Sequence, residues 1–297
     1  MIFSIHKYYT ITLIFAASPK NWAELFPSCG GESQSPIALK SSSATPITYP
    51  PLEFINFDFT YGSATALNTG HSVQVSPTLP DGEVPKVRGG GLPKEYKLVQ
   101  FHFHWGRKSN RGSEHTLDGK RYPMEMHLVF IGTEYKDFNA ALNKTNAIAV
   151  FSVLFKKSKF DNPILNPLID VLPDVGSEDE MPVHVFKLLP WDLSSFFRYN
   201  GSLTTPLCNE PVIWTVFDSF VPISERQLEL YRELEGFDEV NIEDNFRPLQ
   251  DLNGRTVYKN KAKSRYCRHP FCVFYEKIQP FKYKGYYGWK RLKNYYL

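Results

Sequence analysis

Residues 97–106 read KLVQFHFHWG, and this stretch decides how the rest of the chain is interpreted. Its alternating pattern predicts a β-strand, because successive side chains of a strand point to opposite faces. The polar face of that strand carries Gln100, His102 and His104. Aromatic residues form the opposite, apolar face: Phe101, Phe103 and Trp105. Two imidazoles therefore lie side by side on one strand, with a candidate core behind them.

A second strand of the same kind is predicted at residues 124–131, MEMHLVFI. Glu125, His127 and Val129 share one face of it, and the methionines at 124 and 126 share the other. If the two strands are neighbours, His127 completes a set of three histidines. Three protein ligands on tetrahedral zinc leave one position open for water, which is typical of a catalytic rather than a structural site.

The residues two places before His102 and His127 favour a metal site over an ordinary surface or core position. A His-x-His pair alone is more typical of the surface or of a hydrogen-bonded core. Gln100 precedes His102, and Glu125 precedes His127, each on the same face. Each can accept the N–H that a metal-bound imidazole donates, and a buried amide or acid without such a partner is costly.

Composition favours a β-rich globular protein over a helical bundle. The 297 residues suffice for one large domain or two small ones, and 42% of them are hydrophobic. The chain holds 23 Phe and 17 Tyr, which favour strands, together with 22 Pro and 18 Gly, which favour turns. We expect no nucleic-acid partner.

The two ends of the chain differ from its body. Residues 256–297 carry eleven Lys or Arg and one acid, so the net charge of +3 leaves −7 on residues 1–255. The basic, aromatic tail, taken as residues 259–297, either binds polyanions or an anionic surface or is translated non-coding sequence. At the other end, the short apolar run TITLIFAA at 10–17 predicts a signal peptide over residues 1–18, the alternative being a buried strand or an irregular segment.

The four cysteines and two glycosylation sequons fit a secreted protein. Cys29, Cys208, Cys267 and Cys272 allow three pairings, and an even set of cysteines suits an oxidising compartment. Secretion would expose the sequons that begin at Asn143 and at Asn200.

Seven short blocks carry a family resemblance. They are QSPI at 34–37, LNTGH at 67–71, QFHFHWG at 100–106, GSEHT at 112–116, EMHLV at 125–129, GSLTTP at 201–206 and DNFRP at 244–248. In their order and spacing they resemble the α-class carbonic anhydrases, from about residue 19 to residue 257. The resemblance implies a mainly β (α+β) single domain over residues 19–258. Its large, twisted, mostly antiparallel central sheet would carry short surface helices and a conical zinc cleft.

The resemblance also implies the members of the metal site. It assigns three Zn2+ ligands: His102, His104 and His127. Gln100 would accept a hydrogen bond from His102, Glu125 from His127, and the main-chain carbonyl of Asn245 from His104. Cys29 and Cys208 match the positions that form a disulfide in secreted and membrane-anchored members.

The activity implied is the reversible hydration of CO2 to bicarbonate and a proton, by attack of zinc-bound hydroxide. Thr204 would accept a hydrogen bond from that hydroxide and donate its own to Glu114, which as a carboxylate only accepts. This orients the nucleophile. Thr205 would contact bicarbonate, and His71 would carry the proton to solvent, which suits an imidazole of ordinary pKa near 6.5.

An apolar wall for CO2 is implied as well: Val129, Val150, Leu203, Val212 and Trp214. The chain departs from the family pattern in lacking an N-terminal aromatic segment. We expect slower proton transfer and lower stability as a result, the alternative explanation being an incomplete gene model. Thr69 and Gln74 stand at two family asparagine positions. The competing function is a catalytically weak extracellular binding or matrix-associated module on the same scaffold. The intact histidines argue against it.

Overall fold

The computed structural model describes residues 18–57, 62–78, 83–174 and 176–261. The predicted signal up to residue 17, and the basic tail from residue 262 with Cys267 and Cys272, lie outside the described residues.

Strands dominate the described part of the chain. In chain order they are β1 (Ala38–Leu39), β2 (Thr45–Ile47), β3 (Leu52–Ile55), β4 (Gly62–Asn68), β5 (Val73–Thr78), β6 (Lys86–Gly89), β7 (Tyr96–Trp105), β8 (Thr116–Leu117), β9 (Met124–Gly132), β10 (Ile148–Ser158), β11 (Glu178–Val183), β12 (Ser195–Gly201), β13 (Val212–Phe217), β14 (Val221–Ser224) and β15 (Tyr258–Lys261). Thirteen of them form one sheet, whose main path runs β11-β4-β5-β7-β9-β10-β13-β12-β15-β2, and β1 pairs with β8 apart from it.

Most neighbouring strands are antiparallel, including β7 with β9 and β9 with β10. The parallel pairs are β10 with β13, β10 with β14, β15 with β2, and β1 with β8. The prediction of a mainly β single domain around a large, mostly antiparallel sheet is confirmed. β15 pairs with both β12 and β2, so the sheet continues past residue 258 to Lys261.

The helices are short. The α-helices are α1 (Trp22–Leu25), α2 (Phe138–Ala141), α3 (Asn166–Ile169) and α4 (Glu225–Arg232), and 3-10 turns span Pro19–Asn21, Pro27–Gly30, Pro163–Leu165 and Val185–Leu188. α4 begins with a capping box, in which Ser224 Oγ accepts from the Gln227 backbone N–H and Gln227 Oε1 accepts from the Ser224 N–H. No helix in the described ranges has the length and apolar character of a membrane span.

The alternation of β7 and β9 divides the apolar residues between two clusters. Phe101 and Phe103 of β7 join one large cluster together with Met126 and Leu128 of β9. The opposite face of β9 sends Val129 and Ile131 into a second cluster. The two predicted strands and the faces assigned to them are therefore confirmed. Because both clusters are buried, a one-residue slip between the two histidine-bearing strands would expose apolar side chains, so the register of the pair is fixed.

A disulfide joins Cys29 to Cys208, as the resemblance implied. Both cysteines are buried. The Cys208 backbone N–H also donates a hydrogen bond to the Thr205 carbonyl at 2.7 Å. The bridge therefore fastens the N-terminal segment to the loop that carries Thr204 and Thr205.

Removing this bridge is expected to destabilise the fold. The double variant Cys29→Ser with Cys208→Ser should lose about 2–5 kcal/mol of the free energy of unfolding, since the bridge constrains a long loop in the unfolded chain. Urea unfolding followed by tryptophan fluorescence measures the loss, and the unaltered protein under reducing conditions is the control. A variant as stable as the unaltered, oxidised protein would contradict the expectation.

Candidate metal centre

Three histidines meet where β7 and β9 run side by side. His102 lies directly opposite His127 in the β7–β9 register, and His104 follows two residues later on the same face. One ligand atom from each lies within 4.8 Å of the others. His104 and His127 are buried, and their ring centroids are 4.6 Å apart.

Each of these rings is oriented by a protein oxygen. The pairs are His102 Nδ1 with Gln100 Oε1 at 2.9 Å, His104 Nδ1 with the Asn245 carbonyl at 2.8 Å, and His127 Nε2 with Glu125 Oε1 at 2.8 Å. A carbonyl or carboxylate oxygen only accepts, so the ring nitrogens facing them carry the protons. The remaining nitrogen of each ring therefore presents a lone pair.

Two of those lone pairs face each other. His104 Nε2 and His127 Nδ1 are 3.2 Å apart, and with both outer nitrogens protonated neither has a proton to donate to the other. Burial lowers the pKa of both imidazoles, so neither takes up a proton at neutral pH. Two nitrogens bound to one tetrahedral zinc at about 2.0–2.1 Å lie about 3.3 Å apart. The donor set and its spacing therefore fit zinc.

Glu125 is the anchor of His127. Its side chain is fully buried, and Oε1 accepts from His127 Nε2 at 2.8 Å, from His115 Nδ1 at 2.7 Å and from Ser152 Oγ at 2.6 Å. Burial alone would raise the pKa of this carboxyl, but the charge and hydrogen bond of His115 and the hydrogen bond of His127 outweigh it and hold the pKa well below its usual range. An ionised acceptor fixes the tautomer of His127.

Glu125→Gln is expected to weaken zinc binding about 10–100-fold. The amide replaces one acceptor oxygen by a donor. Both oxygens of Glu125 accept hydrogen bonds, Oε2 from the His115 backbone N–H at 2.8 Å, so the amide nitrogen would face a donor at either position. Competition with a chromophoric chelator measures the zinc affinity. Glu180→Gln, at an exposed position of β11, is the matched control. Equal affinities in the two variants would contradict the assigned role.

A buried hydrogen-bond chain behind Glu125 was missed by the sequence analysis. His115 Nε2 lies 2.7 Å from the Tyr199 hydroxyl oxygen, and that oxygen lies 2.9 Å from Ser35 Oγ. Ser35 Oγ in turn accepts from the Ser202 backbone N–H at 3.0 Å. The chain links the anchor of His127 to the loop before Thr204. Its one sequence signal was the histidine next to Glu114 in the GSEHT block.

Glu114 and Thr204 lie together beside the histidines. Glu114 is fully buried, Oε1 accepts from the Arg247 backbone N–H at 2.7 Å, and Oε2 has no hydrogen-bond partner among the described residues. Burial raises the pKa of this carboxyl, while His127 and then the Thr204 hydroxyl act to lower it. The structure thus brings the predicted pair into proximity without a hydrogen bond of ordinary geometry between them.

A cavity of about 240 Å³ opens onto His102 and His127. Six further residues predicted for catalysis or substrate binding line it: Val129, Val150, Leu203, Thr204, Thr205 and Trp214. Val212 does not line it. This side chain is fully buried at the start of β13 and packs in the apolar cluster that also holds Val129.

His71 lies in the turn after β4 and is more enclosed than the sequence suggested. Thr69 Oγ1 is 3.4 Å from its Nδ1 and 3.3 Å from its Nε2. Asn245 Nδ2 donates to the His71 carbonyl at 2.8 Å, so the residue that orients His104 also holds this turn. Burial first, and then His104, lower the pKa of His71 to about 4.

Comparisons with known proteins agree with this geometry. The profile of the eukaryotic-type carbonic anhydrases matches residues 17–261. Carbonic anhydrase 7 of Mus musculus is 40% identical over 249 residues, which cover 80% of this chain and 92% of the relative. Carbonic anhydrase 15 of Mus musculus is 35% identical over 254 residues, 80% of this chain and 78% of the relative. Putative carbonic anhydrase 3 of Caenorhabditis elegans is 40% identical over 231 residues, 76% of this chain and 89% of the relative. With a profile match over most of its length, a sheet of the expected kind and a histidine triad able to hold zinc, the chain belongs to the eukaryotic-type, α-class carbonic anhydrase family.

Proposed function

We propose that this carbonic anhydrase holds Zn2+ on His102, His104 and His127 and hydrates CO2 reversibly to bicarbonate and a proton. The observation that carries the proposal is the pair of buried, facing lone pairs on His104 Nε2 and His127 Nδ1, 3.2 Å apart. When bound, zinc supplies a nucleophile by lowering the pKa of a water to about 7, as is established for carbonic anhydrases generally.

Thr204 and Glu114 orient the nucleophile in this proposal. Oε2 of the buried Glu114 side chain accepts no hydrogen bond from the described residues, and a carboxylate has no proton to give. The Thr204 hydroxyl therefore donates toward Glu114 and accepts from the attacking oxygen, which fixes the direction of its reactive lone pair.

The apolar side of the cavity receives CO2. Val129, Val150 and Leu203 line it together with Trp214, whose Nε1–H donates to the Ser202 carbonyl at 3.0 Å. With its one polar group satisfied, the indole presents carbon atoms to the cavity. An uncharged, linear substrate loses little hydration on entering such a wall.

His71 is proposed to carry protons, and its low pKa predicts a slow transfer. A histidine of pKa about 4 is neutral above that pH, and its protonated fraction grows only as the pH falls toward 4. It therefore accepts a proton poorly from an acid of near-neutral pKa. Added imidazole buffer should raise the maximal hydration rate at pH 7.5 about tenfold.

The control for this prediction is His71→Ala. Its rate in dilute buffer should be only slightly below that of the unaltered chain, and imidazole should bring both to the same maximum. A rate for the unaltered chain that does not depend on imidazole would show that His71 is an efficient proton carrier as it stands.

Stopped-flow CO2 hydration across pH 6–9 tests the proposed function. A rate that rises with pH through an inflection near 7 is expected for an ionising water nucleophile. A chain that binds zinc without hydrating CO2 would overturn the proposal and favour the binding-module alternative.

We further propose that the protein is secreted. The disulfide between Cys29 and Cys208 supports this location, since disulfides persist in oxidising compartments and are rare in the cytosol.

A further inference from the structure

The two glycosylation sequons lie in very different surroundings. Asn143 follows α2 by two residues and adopts a φ of 60°, the left-handed conformation that often ends a helix. Asn143, Lys144 and Thr145 are all exposed. The whole acceptor motif is therefore accessible in the folded protein.

The Asn143 side chain is held at the rim of the CO2 cavity. Asn209 Nδ2 donates to Asn143 Oδ1 at 2.8 Å, and Asn209 and Leu142 both line the cavity. Asn143 Nδ2, the atom that a glycan modifies, makes no hydrogen bond to the described residues. Since Oδ1 can still accept after modification, the hydrogen bond from Asn209 is compatible with a glycan on Nδ2.

Asn200 is placed differently. It lies within β12, opposite Ile213, and its carbonyl accepts from Arg255 Nη1 at 3.1 Å. Its sequon ends at Ser202, which is fully buried and donates Oγ–H to the Leu203 carbonyl at 2.7 Å. Because folding places Asn200 in β12 and buries Ser202, a modifying enzyme can reach this whole motif only before the chain folds.

We propose that Asn143 carries an N-linked glycan that stands at the rim of the CO2 cavity; this rests on the proposed secretion. In the step, Asn143 Nδ2 forms a bond to the anomeric carbon of an oligosaccharide carried on a lipid pyrophosphate. The bond from that carbon to the pyrophosphate oxygen breaks. The lipid pyrophosphate leaves with the electron pair, and one amide proton passes to solvent.

The glycan covers an apolar rim. Leu207 lines the cavity and is 50% exposed, and Phe138 and Leu142 line it from the α2 side. A sugar on Asn143 lies beside this rim and narrows the approach of large ligands, while CO2 and bicarbonate are small enough to pass it.

Site mapping tests the modification. The full chain is expressed in mammalian cells with its own N-terminus and, in parallel, behind a cleavable secretory leader, and the secreted protein is treated with a peptide-N-glycosidase. Asn143→Gln and Thr145→Ala should each abolish the glycosidase-sensitive mass, and Asn200→Gln should keep it. Secreted protein without a glycan at Asn143 would overturn the inference. A glycan at Asn143 that forms only with the added leader would refute the proposed secretion and leave this assignment standing.

Substrate size tests the position at the rim. After native deglycosylation, kcat/KM for a bulky aromatic ester should rise about threefold or more, while kcat/KM for CO2 stays unchanged. The glycosidase leaves an aspartate at residue 143, so Asn143→Asp, secreted without the glycan, should behave like the deglycosylated protein. Equal ester values with and without the glycan would place the sugar away from the rim.

Discussion

His104→Ala should abolish zinc binding and, with it, CO2 hydration. The substitution removes Nε2, which lies 3.2 Å from His127 Nδ1, and leaves the Asn245 carbonyl without its imidazole donor. Two histidines hold zinc far more weakly than three. Without the metal no nucleophile forms at neutral pH, so we expect a loss of activity of at least about a thousandfold.

Elemental analysis gives zinc per chain, and stopped-flow hydration gives the rate. His184→Ala is the matched control, because His184 lines a separate cavity beside Leu188 and Pro182. It should keep both zinc and activity. Full activity of His104→Ala at substoichiometric zinc would show that the metal lies elsewhere or has no part in the reaction.

Thr204→Ala should retain zinc but lose about a hundredfold in kcat/KM. Among the described residues, no hydrogen bond joins Thr204 to any of the three imidazoles. Its hydroxyl can therefore be removed without disturbing the metal ligands. What is lost is the group between Glu114 and the attacking oxygen. Thr204→Ser keeps a hydroxyl at the same place and should recover most of the activity.

The comparison of alanine with serine separates orientation from packing. Thr204 is 6% exposed, so both variants lose the same buried methyl group and differ only in the hydroxyl. Thr133→Ala, at an exposed position after β9, controls for unrelated effects of the substitution. Equal losses in the alanine and serine variants would show that Thr204 acts through its methyl group instead.

Alternation along the strand made the core of the fold predictable from local sequence. In β7 and β9 every second residue is apolar, and burial of that face in one cluster leaves Gln100, His102 and Glu125 on the other face. The neighbouring position of the two strands was only a hypothesis from the sequence, because pairing is set by contacts far along the chain.

Other features depended on such long-range contacts and were missed or altered. Ser152 donates to Glu125 because β10 places it opposite His127, a register that no local pattern reveals. The low pKa of His71 arises from burial, although a histidine in a polar turn is expected to be solvated. Val212 is fully buried at the start of β13, where it packs in the same apolar cluster as Val129 and Val150.

Zinc titration of the metal-free protein tests the central claim most directly, with CO2 hydration as the readout. Chelator-treated protein should be inactive, and its rate should rise linearly with added zinc and level off at one zinc per chain. The same titration of His104→Ala should stay flat over this range. A rate that is independent of zinc, or that rises equally in the His104→Ala variant, would contradict the account.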